Sequence, residues 1–268
     1  MFGSSKYTLH HTKGYRLLKI NHQKGPKGNL VLIHGMFGGL SNFDALIDCL
    51  DGYAIYVPDI PLYDLKRSQL TIPGLAEWVH DFIETFGIEN PILLGNSMGG
   101  HVALQYAHAY AQNVHALILT GSSGLLEYDF GSSFPRRKSW EYLKERANLT
   151  FYEDLADDVI VDEIVEVVNS RKKLLSLLKL TRSTHSFNME DKLPTIKQKT
   201  LLVWGKQDVV TPPKVAIQFQ ALLPHAQLAW IDQCGHAPMM ERPKQFSAIM
   251  NDFLLQLEQE NQSKRRIS

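Results

Sequence analysis

Ser97 sits inside Gly95-Asn96-Ser97-Met98-Gly99-Gly100, a serine bracketed by glycines. A hydroxyl is a weak nucleophile until a base takes its proton and a third group orients that base. The acid expected for this role is Asp208, which follows the apolar run Leu201-Leu202-Val203-Trp204-Gly205. The base expected is His236, in Asp232-Gln233-Cys234-Gly235-His236, just beyond the run Leu228-Ala229-Trp230-Ile231. A carbonyl attacked by Ser97 develops negative charge on its oxygen, and two N–H donors must be aimed at that charge. Met98, directly after the nucleophile, offers one donor. The stretch His34-Gly35-Met36-Phe37-Gly38-Gly39 offers the other, with Met36 the first choice and Phe37 the second. His34 itself is expected to hold that loop by hydrogen bonds rather than to move protons.

These residues need elements to carry them. Ile92-Leu93-Leu94 reads as a short buried strand, and residues 101–111 have helical spacing, with Val102, Ala103, Tyr106 and Ala107 able to face a core. A strand, a Gly-x-Ser-x-Gly turn and a helix put the hydroxyl on a tip, with Gly95 and Gly99 expected because so tight a turn leaves no room for side chains. Residues 30–33, 53–57 and 116–120 are further apolar runs, typical of strands buried on both faces. Two short strands are expected earlier, over residues 7–11 and 15–21. Helices are expected from a Ser41 N-cap, over 75–86, from Pro212-Pro213 and from Arg242-Pro243 to about residue 257. Strands alternating with helices predict an α/β fold with a mostly parallel central sheet covered on both faces. Ligand sites in such sheets lie beyond the C-terminal strand ends.

The alternation breaks after Gly121. Residues 122–192 hold no convincing strand and read as helical, notably over 140–146 and 159–178. The segment is too long for an ordinary connection and carries apolar residues of its own, among them Leu125, Tyr128, Phe130, Phe134, Phe151 and Tyr152. It is expected to be a helical cap inserted into a core formed by residues 1–121 and 193–268.

Composition narrows the functions. The 28 basic residues balance 28 acidic ones, which argues against a nucleic-acid or polyanion binder. The basic run Lys264-Arg265-Arg266 at the C-terminus reads as a solvated tail. Cys49 and Cys234 are too few for a disulfide framework and read as a buried pair of free thiols. No stretch approaches eighteen apolar residues, and residues 1–25 lack an apolar leader core, so a cytoplasmic location without membrane partners is expected. His101 and His108 are seven apart, not the i, i+4 spacing of a zinc helix, and no Gly-x-Gly-x-x-Gly loop is present. Neither metal nor other cofactor is expected. The partner expected is a small-molecule substrate, and a homodimer is left open.

The chain resembles the α/β-hydrolase superfamily over nearly its whole length, from His34-Gly35 through the Ser97 turn to Gly205-Lys206-Gln207-Asp208 and Cys234-Gly235-His236. The order Ser, Asp, His is that of this fold. Within it the chain is most similar to meta-cleavage-product hydrolases, which cleave a carbon–carbon bond in vinylogous diketones, with small carboxylesterases close behind. The former share Gly-Asn-Ser-Met-Gly-Gly and a segment matched by Gly38-Gly39-Leu40-Ser41-Asn42-Phe43. The resemblance implies polar roles near the nucleophile for Asn42 and Asn96, and these two residues and Phe37 are expected to contact the substrate. Their cap arginine, which grips a dienoate carboxylate, is loosely matched by Arg171 in Asn169-Ser170-Arg171-Lys172. Two features depart from that subgroup. Ala237 stands where it usually has tryptophan, and the oxyanion loop is shorter. The resemblance therefore implies a Ser-His-Asp hydrolase of esters or of carbon–carbon bonds. Its rivals are a receptor-like protein with vestigial turnover and a cofactor-free haloperoxidase or acyltransferase.

Overall fold

The computed structural model describes residues 8–20, 26–125 and 139–267. Strands β1 (Thr8–Thr12), β2 (Tyr15–Ile20), β3 (Asn29–Ile33), β4 (Ala54–Pro58), β5 (Ile92–Asn96), β6 (Ala116–Thr120), β7 (Lys199–Gly205) and β8 (Ala226–Ile231) form one sheet. Their spatial order is β1-β2-β4-β3-β5-β6-β7-β8. β1 with β2 and β2 with β4 are antiparallel, and the remaining neighbours are parallel. The chain leaves β3 for β4 on one side and later returns to β5 on the other. That reversal makes the C-terminal ends of β3 and β5 a topological switch point, where open α/β sheets form their crevice.

Alternation along each strand feeds two cores. Val31, Ile33, Leu93, Leu117, Leu119, Leu202 and Trp204 face one side, against α2 (Ile72–Phe86), α3 (Met98–Ala109) and α7 (Pro213–Leu222). Leu30, Leu32, Leu94, Ile118, Leu201 and Val203 face the other, against α1 (Asp44–Ile47), α8 (Pro238–Glu241) and α9 (Pro243–Ile267). Each fully buried large apolar side chain contributes about 1.5–3 kcal/mol relative to exposure, so both layers are anchored to the strands that end at the rim.

Between β6 and β7 lie α4 (Trp140–Asn148), α5 (Asp158–Asn169) and α6 (Arg171–Ser186). α4 and α5 bury a small core of their own around Leu143, Ala147, Ala156 and Val161. α6 instead joins the main core through Leu180, and Ser183 Oγ accepts the Ile72 N–H at 2.9 Å.

Several expected boundaries shift. The helical run expected over 159–178 is two helices, because Ser170 leaves helical geometry and its hydroxyl accepts the Lys173 N–H at the start of α6. Ser41 is not an N-cap: residues Leu40–Phe43 form a turn of 3₁₀ helix entered from Gly39, and Asn42 caps it from inside by accepting the Gly39 N–H. α2 begins earlier than residue 75 because Thr71 caps the Gly74 N–H. α9 runs well past residue 257. Cys49 is only half-buried, whereas Cys234 is buried. Tyr7, Asn21, Tyr128, Phe130 and Phe134 lie outside the described residues. Among the described residues no helix is long and apolar enough to cross a membrane.

Candidate active site

The Ser97 turn is sterically forced. A Cβ on Gly99 would sit 2.1 Å from the Ile33 carbonyl oxygen, and one on Gly95 would sit 2.4 Å from that of Gly99. Only glycines let the first turn of α3 pass this close to β3 and β5. Ser97 takes φ 55° and ψ −122°, a left-handed conformation unusual for a residue with a side chain. Such strain costs on the order of 1–3 kcal/mol and must be held by its surroundings. Here the Ser97 N–H donates to Thr120 O at 3.1 Å, and the Ser97 carbonyl accepts from Gly100, His101 and Ser123 N–H at 3.0, 3.2 and 3.1 Å.

The base and its acid meet at the ends of β7 and β8. His236 Nδ1 lies 2.9 Å from Asp208 Oδ2, with both side chains almost wholly buried. The carboxylate is fixed by the backbone N–H groups of Val210 (2.8 Å) and Thr211 (2.9 Å) on Oδ1 and by the Thr211 hydroxyl (2.9 Å) on Oδ2. Thr211 is itself held where Trp204 Nε1–H donates to its carbonyl at 2.7 Å. A carboxylate only accepts, so the hydrogen-bond network places an imidazole proton on Nδ1, and in the neutral ring it is Nε2 that keeps the lone pair.

The imidazole is tied to the elbow through Asn96. Its Nδ2 donates to His236 O and to Thr120 O, both at 3.1 Å. A Cβ on Gly121 would lie 2.7 Å from His236 O and 2.8 Å from its Nδ1, so the ring lies across the residue that follows β6. Ser97 is thus bonded to Thr120 and His236 lies against Gly121, two consecutive residues at the end of β6. Asn96, expected near the nucleophile, is there as a bracket between strand end and histidine, with both amide hydrogens used.

The loop after β3 folds over the serine. A Cβ on Gly35 would come within 3.3 Å of Ser97 Cβ. His34 is buried, its Nε2 accepting the Ile60 N–H at 3.2 Å, so Nδ1 carries the proton bonded to Gly35 O at 2.8 Å. Burial pushes its pKa down. A neutral ring with both nitrogens engaged has the loop-holding role expected of it. Met36 packs against the main core and its sulfur receives the Thr181 hydroxyl of α6 at 3.4 Å. Met98 N–H belongs to the first turn of α3, whose donors have no intrahelical acceptor.

Three other residues expected near the substrate lie after β3 and at the start of α6. Asn42 is occupied in the loop, accepting the Gly39 N–H at 2.9 Å. Phe37 is 52% exposed. Arg171 is the first residue of α6 and is exposed. A cleft of about 490 Å³ lies at the opposite end of the sheet, between Asn29, Tyr53, Ile92, His115 and Leu257, away from Ser97.

Two structural partners went unnoticed in the sequence. Thr211 lies three residues after Asp208, the spacing of an Asx-type turn, and that signal was readable. Glu241, five residues after His236, receives the N–H groups of Gly235, Ala237 and Tyr152 on a buried carboxylate, and nothing in its sequence surroundings announces this.

With this geometry in place, comparison with known proteins defines the class. The chain belongs to the alpha/beta hydrolase family, whose model matches residues 30–249, and it is a hydrolytic enzyme. It is 29% identical to the 2-hydroxy-6-oxononadienedioate/2-hydroxy-6-oxononatrienedioate hydrolase of Comamonas testosteroni, over 94% of this chain and 96% of that protein. It is 26% identical to Lipase 1 of Psychrobacter immobilis, over 79% of this chain and 72% of that one. Among solved structures it is similar to MGS-MChE2, an alpha/beta hydrolase enzyme from the metagenome of sediments of the lagoon of Mar Chica, Morocco. That likeness has 36% identity and a TM-score of 0.77, covering 93% of this chain and 98% of that one.

Proposed function

We propose that this enzyme is a serine hydrolase that cleaves small, partly apolar carboxylic esters. Ser97 Oγ attacks the ester carbonyl carbon while His236 Nε2 takes its proton. Asp208 stabilises the imidazolium through Nδ1–H. The Met98 and Met36 N–H groups receive the oxyanion. Collapse expels the alcohol, protonated by His236, and leaves an acyl group on Ser97. Water, deprotonated by the same nitrogen, then releases the acid. The segment over 122–192 acts as a cap, and its half-buried Phe151 and Leu125 suit an apolar acyl or alcohol group.

The observation that carries this reading is the 2.9 Å bond between His236 Nδ1 and Asp208, with Asn96 fixing the same histidine beside the strained Ser97. It is tested by hydrolysis of p-nitrophenyl butyrate with wild type and Ser97→Ala. Turnover that disappears in the variant supports the reading; turnover that survives removes Ser97 from its role. Saturable ester binding without turnover favours the receptor-like alternative.

Cleavage of a carbon–carbon bond is the second reading, supported by the name of the Comamonas relative. The ester is preferred because Arg171, the one residue expected to grip a substrate carboxylate, is exposed at the start of α6. A ring-fission dienoate turned over faster than short-chain esters, with a loss on Arg171→Ala, would reverse that preference.

A further inference from the structure

We infer that Glu241 is the positioning residue for His236, and that its carboxylate couples the inserted helical segment to the imidazole. The inference rests on the serine-hydrolase reading above for its kinetic consequence, though not for its geometry.

Glu241 is the last residue of the short α8 and is only 7% exposed. Oε1 accepts the N–H of Gly235 at 3.0 Å and of Ala237 at 3.1 Å. Oε2 shares the Gly235 N–H at 3.0 Å and accepts the N–H of Tyr152 at 2.7 Å. The residues on either side of His236 are thus hung from one buried side chain. The N–H of His236 itself goes to the Thr150 carbonyl at 2.8 Å. Three consecutive backbone donors, 235 to 237, are fixed this way, and the segment 150–152 takes part in both attachments.

The contact is close as well as bonded. A Cβ on Gly235 would lie 2.9 Å from Thr150 O, Phe151 C and Tyr152 N. Residues 150–152 join α4 to α5, the two helices with a separate small core. Outside the carboxylate, Arg242 bonds Glu153 at 2.7 Å and the Glu241 carbonyl at 3.1 Å, continuing the seam to the surface. Burial and the nearby Glu241 carboxylate push the Cys234 thiol up, so the neighbouring cysteine stays a thiol rather than competing as an anion. Movement of α4 and α5 as substrate enters would be passed to the imidazole through this carboxylate together with the His236–Thr150 bond.

Two substitutions separate the links. Glu241→Ala removes every acceptor. Glu241→Gln keeps one oxygen for Gly235 and Ala237 but turns its NH₂ toward the Tyr152 N–H, donor against donor. With p-nitrophenyl butyrate, Glu241→Ala should lower kcat about 100- to 1000-fold with KM changed less than about threefold, the effect of a misplaced catalytic group. Glu241→Gln should recover most of that, losing about 5- to 30-fold. The proton NMR resonance of the His236 Nδ1–H should shift or broaden in both, and more in Glu241→Ala. Glu153→Ala, which cuts only the outer ion pair, should leave kcat within about twofold, as an exposed pair does.

A folded Glu241 variant with an unchanged imidazole resonance and kcat within twofold of wild type overturns the inference. So does a Glu241→Gln loss that falls only on KM. If Glu241→Ala does not fold, the contrast between Glu241→Gln and Glu153→Ala decides by the same criteria. Turnover that depends on Ser97 yet ignores Glu241→Gln sinks the positioning role and spares the hydrolase. A shifted resonance in Glu241→Gln, in a protein that hydrolyses no ester, supports the positioning role and sinks the ester reading.

Discussion

Asp208→Asn should abolish most catalysis while leaving the loop in place. Asp208 Oδ1 accepts the N–H groups of Val210 and Thr211, and an asparagine oxygen can keep both. The change falls on Oδ2, which accepts the Thr211 hydroxyl and His236 Nδ1–H. An NH₂ group there faces two donors. The hydroxyl can rotate and accept instead. The imidazole can answer only by moving its proton to Nε2, the nitrogen that must take the proton of Ser97. Loss of the right tautomer lowers kcat by about 10⁴-fold in serine-type triads, or about 5 kcal/mol of transition-state stabilisation. The folding effect is smaller, because one hydrogen bond to a charged group is worth about 1.5–3 kcal/mol and a weaker one replaces it. The assay is kcat for p-nitrophenyl butyrate near neutral pH, with the thermal midpoint measured on the same sample. A loss under tenfold, or one confined to KM, would refute the assignment of Asp208 as the group that sets the histidine tautomer.

Thr211→Val removes one donor from the same oxygen, a neutral-to-charged bond, and should reduce kcat about 10-fold with an unchanged KM; equal kcat values would deny the hydroxyl any part in orienting Asp208. Gly99→Ala should yield little folded protein, since its Cβ would meet Ile33 O at 2.1 Å, whereas Gly39→Ala, with no neighbour within 4 Å, should melt close to wild type. Equal melting temperatures for the two would contradict the close approach of α3 to β3. Burial holds the His101 pKa down at about 3, against an ordinary 6.5. Between those values the unfolded chain binds the extra proton, so His101 contributes stability that is complete above pH 6.5 and is lost as pH falls toward 3, at about 1.4 kcal/mol per pH unit. Urea midpoints measured from pH 7.5 to 5 should therefore fall less steeply in His101→Asn than in wild type; parallel curves would show that the ring is protonated in the folded state.

The sheet was legible because strands buried on both faces leave uninterrupted apolar runs, and β3, β5, β6 and β7 all do so. The candidate site was legible because Ser97 and Asp208 follow such runs, His236 follows the apolar residues of the edge strand β8, and the sheet collects strand ends at one rim. Helix limits were harder. The apolar spacing of α5 passes into α6 without a break, and Ser170 reads as an ordinary helical residue until its hydroxyl is seen capping Lys173. Ser41 looked like a cap for the same reason in reverse, since a cap is a hydrogen bond and Asn42 makes it from another position. Asn96 illustrates how a residue can be located from sequence while its partner stays hidden. Its place at the end of β5 follows from sequence, but its bond to His236 spans 140 residues and depends on how β8's loop folds back. Glu241 is the extreme case. An acidic residue beside Arg242 reads as surface charge, and only the folded loop shows that its carboxylate faces three backbone donors.

The central claim is that Ser97 is a nucleophile activated by His236. A fluorophosphonate phosphonylates an activated serine hydroxyl with loss of fluoride, so its site and rate, compared with His236→Ala, report the claim without reference to a natural substrate. The account predicts one label per chain, located by peptide mass spectrometry on Ser97, and a labelling rate at least about 100-fold slower in His236→Ala. Labelling of another residue, or of Ser97 at an undiminished rate in His236→Ala, would contradict it.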